Sequence, residues 1–489
     1  VINIKATESA PATIVKLESD IGLSGSNKEM IVGEGAVLDV SGHSPLNITI
    51  DGNLINSGVI DFTVMDRFGE ADDSVTVTGD YIARDGALMV LNIEPENGTA
   101  DRLIVDRDVK GNTNLYLKTS SDRKADGDIL FAEVPNDNPD TASSFEVWRV
   151  EGSPYEWSTK FADNKWWTYV SGESNQYVPE VVAYMGLYDA AFEQTRSFVR
   201  ALSSNSGNNG VLGTRCQYGR CYHLTPAHTA WAVPVYEKAE IQAPYEYDAK
   251  ITGLDAGIDL AADGVNKVGV TASYRKGRYD FSGYGKDAFA KAGARTDIDS
   301  YLLGLYYRRD KDHFRIVTAA YGGIQKADMR SDDGVKAESD AKEYGITLDV
   351  AYIYEAVKGI TFEPEMQVSW TMLDYDDIKD NVGKTYKMET AQRVEAEVGL
   401  KIRKSWEFDA GRAALYIKPS IIRTYNFGGE FALTDERKIK ALRDETLGRV
   451  EAGAEVVVNA RWSVGASVAH TFGSDYKETS ANLDLKYRF

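Results

Sequence analysis

The chain closes on Ala481-Asn482-Leu483-Asp484-Leu485-Lys486-Tyr487-Arg488-Phe489, where every odd position is apolar and every even one polar. Successive side chains of a strand point to opposite faces, so this stretch reads as a strand with one oily and one wet face. The pattern recurs upstream to about residue 230, clearest in Tyr344-x-Ile346-x-Leu348-x-Val350-x-Tyr352-x-Tyr354, Val394-x-Ala396-x-Val398-x-Leu400-x-Ile402 and Val450-x-Ala452-x-Ala454-x-Val456-x-Val458. One such strand would suit the edge of a soluble sandwich. A long succession of them predicts an antiparallel barrel whose outside touches lipid.

Strands are expected near 231–241, 250–261, 267–281, 299–309, 314–327, 343–355, 361–375, 392–408, 413–427, 447–460, 462–472 and 478–489. That is about twelve, even-numbered as bacterial single-chain barrels are. The alternate positions, among them Glu343, Asp349, Arg393, Glu395, Glu397, Lys401, Glu451, Glu455 and Asn459, would line the lumen. Short links such as 356–359 would be periplasmic turns, and polar ones near 282–297, 328–341, 376–390 and 428–445 outer loops. Pro364 and Pro419 fall inside strands and each removes a ladder donor, which predicts local bulges.

Composition agrees with a barrel. No run of about 18 apolar residues occurs, which excludes membrane-spanning helices but not membrane strands. Tyr numbers 28 and Trp 8, a bias that aromatic girdles would explain. The net charge of −20 repels phosphate backbones and argues against nucleic-acid binding. The numbering begins at Val1 with neither Met nor an apolar leader, so the sequence reads as the C-terminal part of a longer precursor.

Residues 1–92 hold short apolar strands, such as Ala36-Val37-Leu38-Asp39-Val40 and Leu46-Asn47-Ile48-Thr49-Ile50, separated by Gly, Asn and Asp turns. A spacing of roughly 20 residues suits the rungs of a parallel β-helix. Strands continue through 74–170, and Trp148, Trp157, Trp166 and Trp167 would cap the solenoid core. After Pro179 the period becomes helical. Val181, Met185, Tyr188, Phe192, Thr195, Val199 and Leu202 lie on one track, with Asp189, Glu193, Arg196 and Arg200 opposite. About 24 helical residues span roughly 36 Å, enough to thread a membrane barrel, and Gly186, Ala190 and Ala191 keep the helix slim.

Within the link 203–229, Cys216 and Cys221 with His223 and His228 do not match a usual zinc spacing; a small-loop disulfide is expected instead. No metal or other cofactor is expected. Hydrolase signals are weak: His470 stands an odd number of residues from Ser463 and Ser467, and no nucleophile-elbow, zincin or phosphate-loop motif occurs.

The segments Val75-Thr76-Val77-Thr78-Gly79-Asp80-Tyr81, Gly86-Ala87-Leu88, Ala100-Asp101-Arg102-Leu103-Ile104-Val105 and Asn164-Lys165-Trp166-Trp167 resemble the pertactin-like junction of type V autotransporters. That family usually closes the segment with Trp-x-Leu, where this chain has Trp166-Trp167-Thr168-Tyr169-Val170. The order solenoid, helix, barrel resembles the same family. The resemblance implies an all-β chain: the C-terminal rungs of a right-handed parallel β-helix, then a pore-threading helix inside a 12-stranded transmembrane barrel. Its expected parts are terminal passenger rungs over 1–92, a junction or autochaperone over 93–175, a linker over 176–229 with the pore helix at 179–204, and the translocator barrel over 230–489.

The implied function is export and surface anchoring of the chain's own N-terminal passenger from the bacterial outer membrane, without enzymatic activity. Arg196 and Arg200 would pair with Glu395, Glu397, Glu451 and Glu455 to hold the helix. Leu485, Tyr487 and Phe489 would be the C-terminal signal for barrel insertion. Implied partners are outer-membrane lipid, the barrel-assembly machinery, periplasmic chaperones and the passenger, the chain itself being a monomer. Some relatives cut themselves at an Asn in the helix; 179–204 contains none, so that cleavage is not expected. A channel with a removable plug, or an outer-membrane hydrolase, stays open as an alternative.

Overall fold

In the computed structural model the described residues are all but 1, 6–12, 24–27, 43–44, 65–70, 122, 135–143, 171–176, 206–213, 218–219, 224–227, 243–245, 264, 282–292, 312, 333, 409–410, 433–437 and 460. For 204–205, 214–217, 220–223, 408 and 411 only the backbone is described. The chain divides into two units, Val1–Val178 and Pro179–Phe489.

In the first unit, short strands stack in parallel into three sheets. One contains Glu29–Val32, Asn53–Asn56 and Tyr81–Ala83; the second, Ala36–Asp39, Val59–Asp61, Leu88–Glu94 and Thr113–Lys118; the third, Asn47–Asp51, Ser74–Val77, Arg102–Val105 and Ile129–Glu133. The strands turn apolar side chains inward, so Leu38, Ile60, Met89 and Leu115 form one fully buried column, Val75, Leu103 and Ala132 another, and Phe131 is fully buried in the same core. Rungs are longer than the expected 20 residues: Val37 lies beside Val59, 22 residues on, and Leu103 beside Ala132, 29 residues on. The excess lies in turns, whose polar groups clip one rung to the next. The Asp73 carboxylate accepts from the amides of Gly42 and Leu46, and Asp101 accepts from those of Asp73 and Asn92.

Parallel pairing continues past residue 92, with Thr113 beside Phe145. It ends where Lys165–Val170 runs back antiparallel on Ile129–Glu133 and on Trp157–Ala162. Asp163 and Asn164, both at positive φ, make the tight turn of that last hairpin. Trp166 is fully buried, 5.0 Å from the Phe145 ring and 4.5 Å from Phe161, and Trp157, opposite Val170 in the same hairpin, is buried in the same core. Trp148 departs from expectation. It is 61% exposed and takes no part in the seal.

The second unit is a closed antiparallel barrel of twelve long strands. They are Thr229–Ile241, Tyr247–Ala262, Asn266–Phe281, Ala294–Lys311, Phe314–Ser331, Lys336–Tyr352, Ile360–Tyr375, Ala391–Phe408, Gly411–Gly428, Thr446–Val457, Trp462–Phe472 and Tyr476–Arg488. The first pairs with the last, Ala230 opposite Tyr487, so no long edge is left open. Outward positions such as Leu303, Leu305, Ile346, Val398 and Ile421 are exposed to the surrounding medium. The alternate positions, such as Arg275, Glu343 and Glu363, are fully buried in the lumen.

Several strands outrun their hydrophobic pattern. Phe314–Ser331 and Lys336–Tyr352 form a tight hairpin through most of the span expected as an outer loop. Above the oily band the outward positions become charged (Lys326, Asp328, Arg330, Glu338, Asp340) while Ala327, Met329, Ala337 and Ala341 stay buried inside, so the oily outer face ends while the backbone ladder continues. The prolines need no bulge: Pro364 lies just beyond the last pair with Lys336–Tyr352, Ala351–Glu365, and at Pro419 the pairing skips from Gly399–Ser420 to Ile402–Ile417 in the same register.

Candidate functional site

The helix Pro179–Asn205 lies inside the barrel. Its 27 residues measure roughly 40 Å at 1.5 Å each. Both of its faces are buried: Val181, Tyr188 and Phe192 on the apolar track, and Glu193, Gln194 and Arg196 among the polar residues. The polar side therefore faces a wall of charged side chains. Nothing in the sequence distinguishes such a side from a solvated one.

Hydrogen bonds reach the helix from strands around the ring. Tyr247 Oη donates to Asp189 at 2.9 Å, Tyr279 Oη to the Ala190 carbonyl at 2.8 Å, and Thr195 Oγ1 to Glu343 at 2.5 Å. Ser197 donates to Glu237 and receives a bond from Arg275, and Gln367 donates to Ser203. From the opposite wall Arg393 reaches Asp189 at 2.8 Å, and Tyr476 Oη donates to Glu193 at 2.6 Å. Gly186 is needed for close approach, because a Cβ there would lie 2.3 Å from the Phe281 ring.

Direction follows from the two rims. One rim carries only short links, such as 263–265 and 358–359; the other carries the longer ones, 376–390 and 429–445. Near its N-terminus the helix meets the long-link rim, Tyr184 packing on Tyr386 at 5.3 Å and Tyr188 donating to the Glu389 carbonyl. Near its C-terminus, Phe198, Val199 and Leu202 pack with Trp231 and Val233 at the start of the first strand. The chain thus runs the length of the lumen before it enters the wall.

Arg196 Nε lies 2.6 Å from Glu395, and the same guanidinium bonds Glu193 on its own helix at 2.8 Å. Arg200 lies 3.6 Å from Glu397 and 3.7 Å from Glu478. Glu451 and Glu455 do not reach the helix: Glu451 pairs with Arg449 at 3.3 Å, and Glu455 with Lys486 at 3.9 Å. Groups the sequence reading passed over include Glu478, Tyr476, Arg275 and Lys418. Each sits at a wet strand position, but which partner it meets depends on barrel register. Arg275 and Asp255 pair at 2.5 Å with both side chains wholly buried. Around Arg200 a polar cavity is lined by Arg315, Glu365, Glu397, Lys418 and Glu451.

At the C-terminus the Tyr487 ring lies 4.8 Å from Trp462 and 6.1 Å from Phe489, and Phe489 lies 5.8 Å from His228. Leu485 and Phe489 are outward-facing and exposed. The backbone places Cys216 directly opposite Cys221 in a small hairpin, while their side chains, and that of His223, lie outside the described residues. His470 faces outward, whereas Ser463 and Ser467 are buried on the lumenal side. Among the described residues no group of three or more metal-ligating side chains is gathered.

Residues 235–469 match the family model described as the autotransporter beta-domain. The barrel belongs to that family. No curated protein matches the chain. Among solved structures it is similar to the translocator domain of the autotransporter NalP from Neisseria meningitidis, at 15% identity and TM-score 0.49, covering 62% of this chain and 97% of that one. It is also similar to the transport unit of the autotransporter AIDA-I from Escherichia coli, at 16% identity and TM-score 0.44, covering 64% and 100%. As an autotransporter β-domain, the barrel resides in the outer membrane, with its passenger exposed at the surface.

Proposed function

We propose that this autotransporter barrel is the export and anchoring unit for the chain's own N-terminal passenger, and that residues 179–204 are the segment left in its pore. The observation that carries this reading is the helix bonded all round inside a closed ring, its N-terminal end at the long-link rim. A chain so threaded has its upstream residues on one side of the membrane and its barrel within it. The outer membrane offers no nucleotide to drive transport. Folding of the solenoid outside would make retrograde sliding costly, and residues 93–175 are the part proposed to nucleate that folding, as a junction or autochaperone capping rungs 1–92.

Arg196 with Glu395, and Arg200 with Glu397, are proposed to lock the helix in place. Removing one partner of a buried pair leaves an uncompensated charge in the lumen. The chain acts on this reading without catalysis, as a monomer. Leu485, Tyr487 and Phe489 are proposed to be read by the barrel-assembly machinery after periplasmic chaperones deliver the chain, and Cys216 and Cys221 to close a short disulfide loop.

Conductance across a planar bilayer tests the reading. The full-length chain should be nearly silent, and deletion of 180–202 should open a steady pore. A full-length chain that conducts as well as the deletion would instead make it a channel with a removable plug.

A further inference from the structure

The outer face of the solenoid carries an aromatic residue that core packing does not account for. Where Phe145–Glu151 pairs with Thr113–Lys118, Leu115 lies opposite Val147 but Tyr116 lies opposite Arg149. Trp148 is the extra residue of a β-bulge. Val147 and Val150 both pack on the core, so Trp148 and Arg149, though consecutive, are both turned outward. A regular strand would have sent one of them inside. Bulges re-aim side chains in this way, often beside functional sites.

The bulge assembles a small shelf. The Trp148 ring meets Tyr116 edge-on at 6.2 Å, and among the described residues no other ring and no cation stacks on the indole. Lys118 Nζ and the Arg149 guanidinium each lie 5.5 Å from the Tyr116 ring centre. Lys118 is further held by Thr63 Oγ1 at 2.9 Å, and Tyr116 Oη donates to Glu151. An exposed flat apolar face thus stands beside two cations fixed over a neighbouring ring. Large aromatics left in water forgo the stabilisation that burial would give them.

We propose that Trp148, Tyr116, Arg149 and Lys118 form a binding shelf for an acidic saccharide chain bearing about one carboxylate per sugar. The C–H face of a pyranose would lie on the free indole face. Its carboxylate would meet Arg149 and Lys118. The shelf is one ring wide, which suits a sugar better than a protein interface with its larger apolar core. The denser charge of a nucleic acid would be opposed by the net charge of −20. Glu151, paired across the strands with Lys118, and Asp61 near Tyr116 offset the two cations at longer range, so the preference for a carboxylate rests on its direct contact with Arg149 and Lys118.

The test is titration of the full-length chain in detergent with trigalacturonate and, separately, maltotriose, read by calorimetry and tryptophan fluorescence. Saturable trigalacturonate binding is expected, weakened about tenfold or more by Trp148→Ala, as stacking losses commonly are. Trp148→Phe should recover part of the loss, and Arg149→Gln should weaken trigalacturonate binding while leaving the maltotriose signal unchanged. Unchanged circular dichroism would certify folding of the variants, since Trp148 is mostly exposed. Absence of saturable binding, equal affinity for the two sugars, or a Trp148→Ala variant that binds like wild type would each overturn the proposal.

Discussion

Inside the solenoid, the fully buried positions Leu38, Ile60, Met89 and Leu115 are apolar; inside the barrel, the equally buried Asp255, Arg275, Glu343 and Glu363 are charged or titratable. Outside, the solenoid is largely polar, while the barrel presents Leu303, Leu305, Ile346 and Ile421. The same alternation, with its sense reversed, serves both. In water, apolar burial drives the stacking of rungs. In lipid, oily side chains gain little by turning inward, and specificity passes to the polar lumen, where every charge needs a partner. The solenoid core thus tolerates exchange among apolar residues of similar size, whereas the lumen works only in one register with one helix seated in it.

Predictions can break that contrast, beginning with the largest effect. Gly186→Leu should prevent the helix from seating against Phe281, and the variant should conduct in bilayers where the wild type is silent. Arg275→Met should destabilise the barrel by about 3–5 kcal/mol in denaturant unfolding, with much of the loss recovered when Asp255 is also made apolar. Phe131→Ala in the solenoid should cost about 3–5 kcal/mol, seen as faster amide exchange in the rungs with the barrel unchanged.

A pH prediction concerns the solenoid alone. Burial pushes the Asp101 carboxyl up to about 8, the nearby Asp73 and Asp72 charges adding to it and two backbone amides opposing it. The folded solenoid therefore holds the proton more tightly than the unfolded chain. Asp101 contributes stability that is fully present below the unfolded value of 3.8 and lost as pH rises towards about 8. The slope from this one group is at most about 1.4 kcal/mol per pH unit, and Asp101→Asn should flatten it. Smallest of all, Leu303→Ala on the barrel exterior should shift barrel stability by less than about 1 kcal/mol, because lipid replaces the lost contacts. A loss as large as that of Phe131→Ala would mean that this face is buried against protein.

Much of this was legible in the chain. Alternation alone located all twelve barrel strands, since lipid outside and charge inside impose a period of two over long runs. Trp157 and Trp166 were recognisable as closing the solenoid, and the helix by its 3.6-residue period. Trp148 was not separable from them, because a bulge is a matter of pairing and not of composition. Strand ends beyond the oily band were missed for a related reason: a hydrogen-bonded ladder does not need a hydrophobic face.

The sequence by itself determined which side chains are wet, which are oily and in what period, and so the two architectures and their order. Only the tertiary structure decided the partners. Glu395 meets Arg196 while Glu451 meets Arg449, although both carboxylates occupy wet positions in their strands. The physical reason is that facing is set locally by backbone geometry, whereas pairing across a lumen depends on barrel closure, register and the depth of the helix, which bring together residues as far apart as Glu193 and Tyr476.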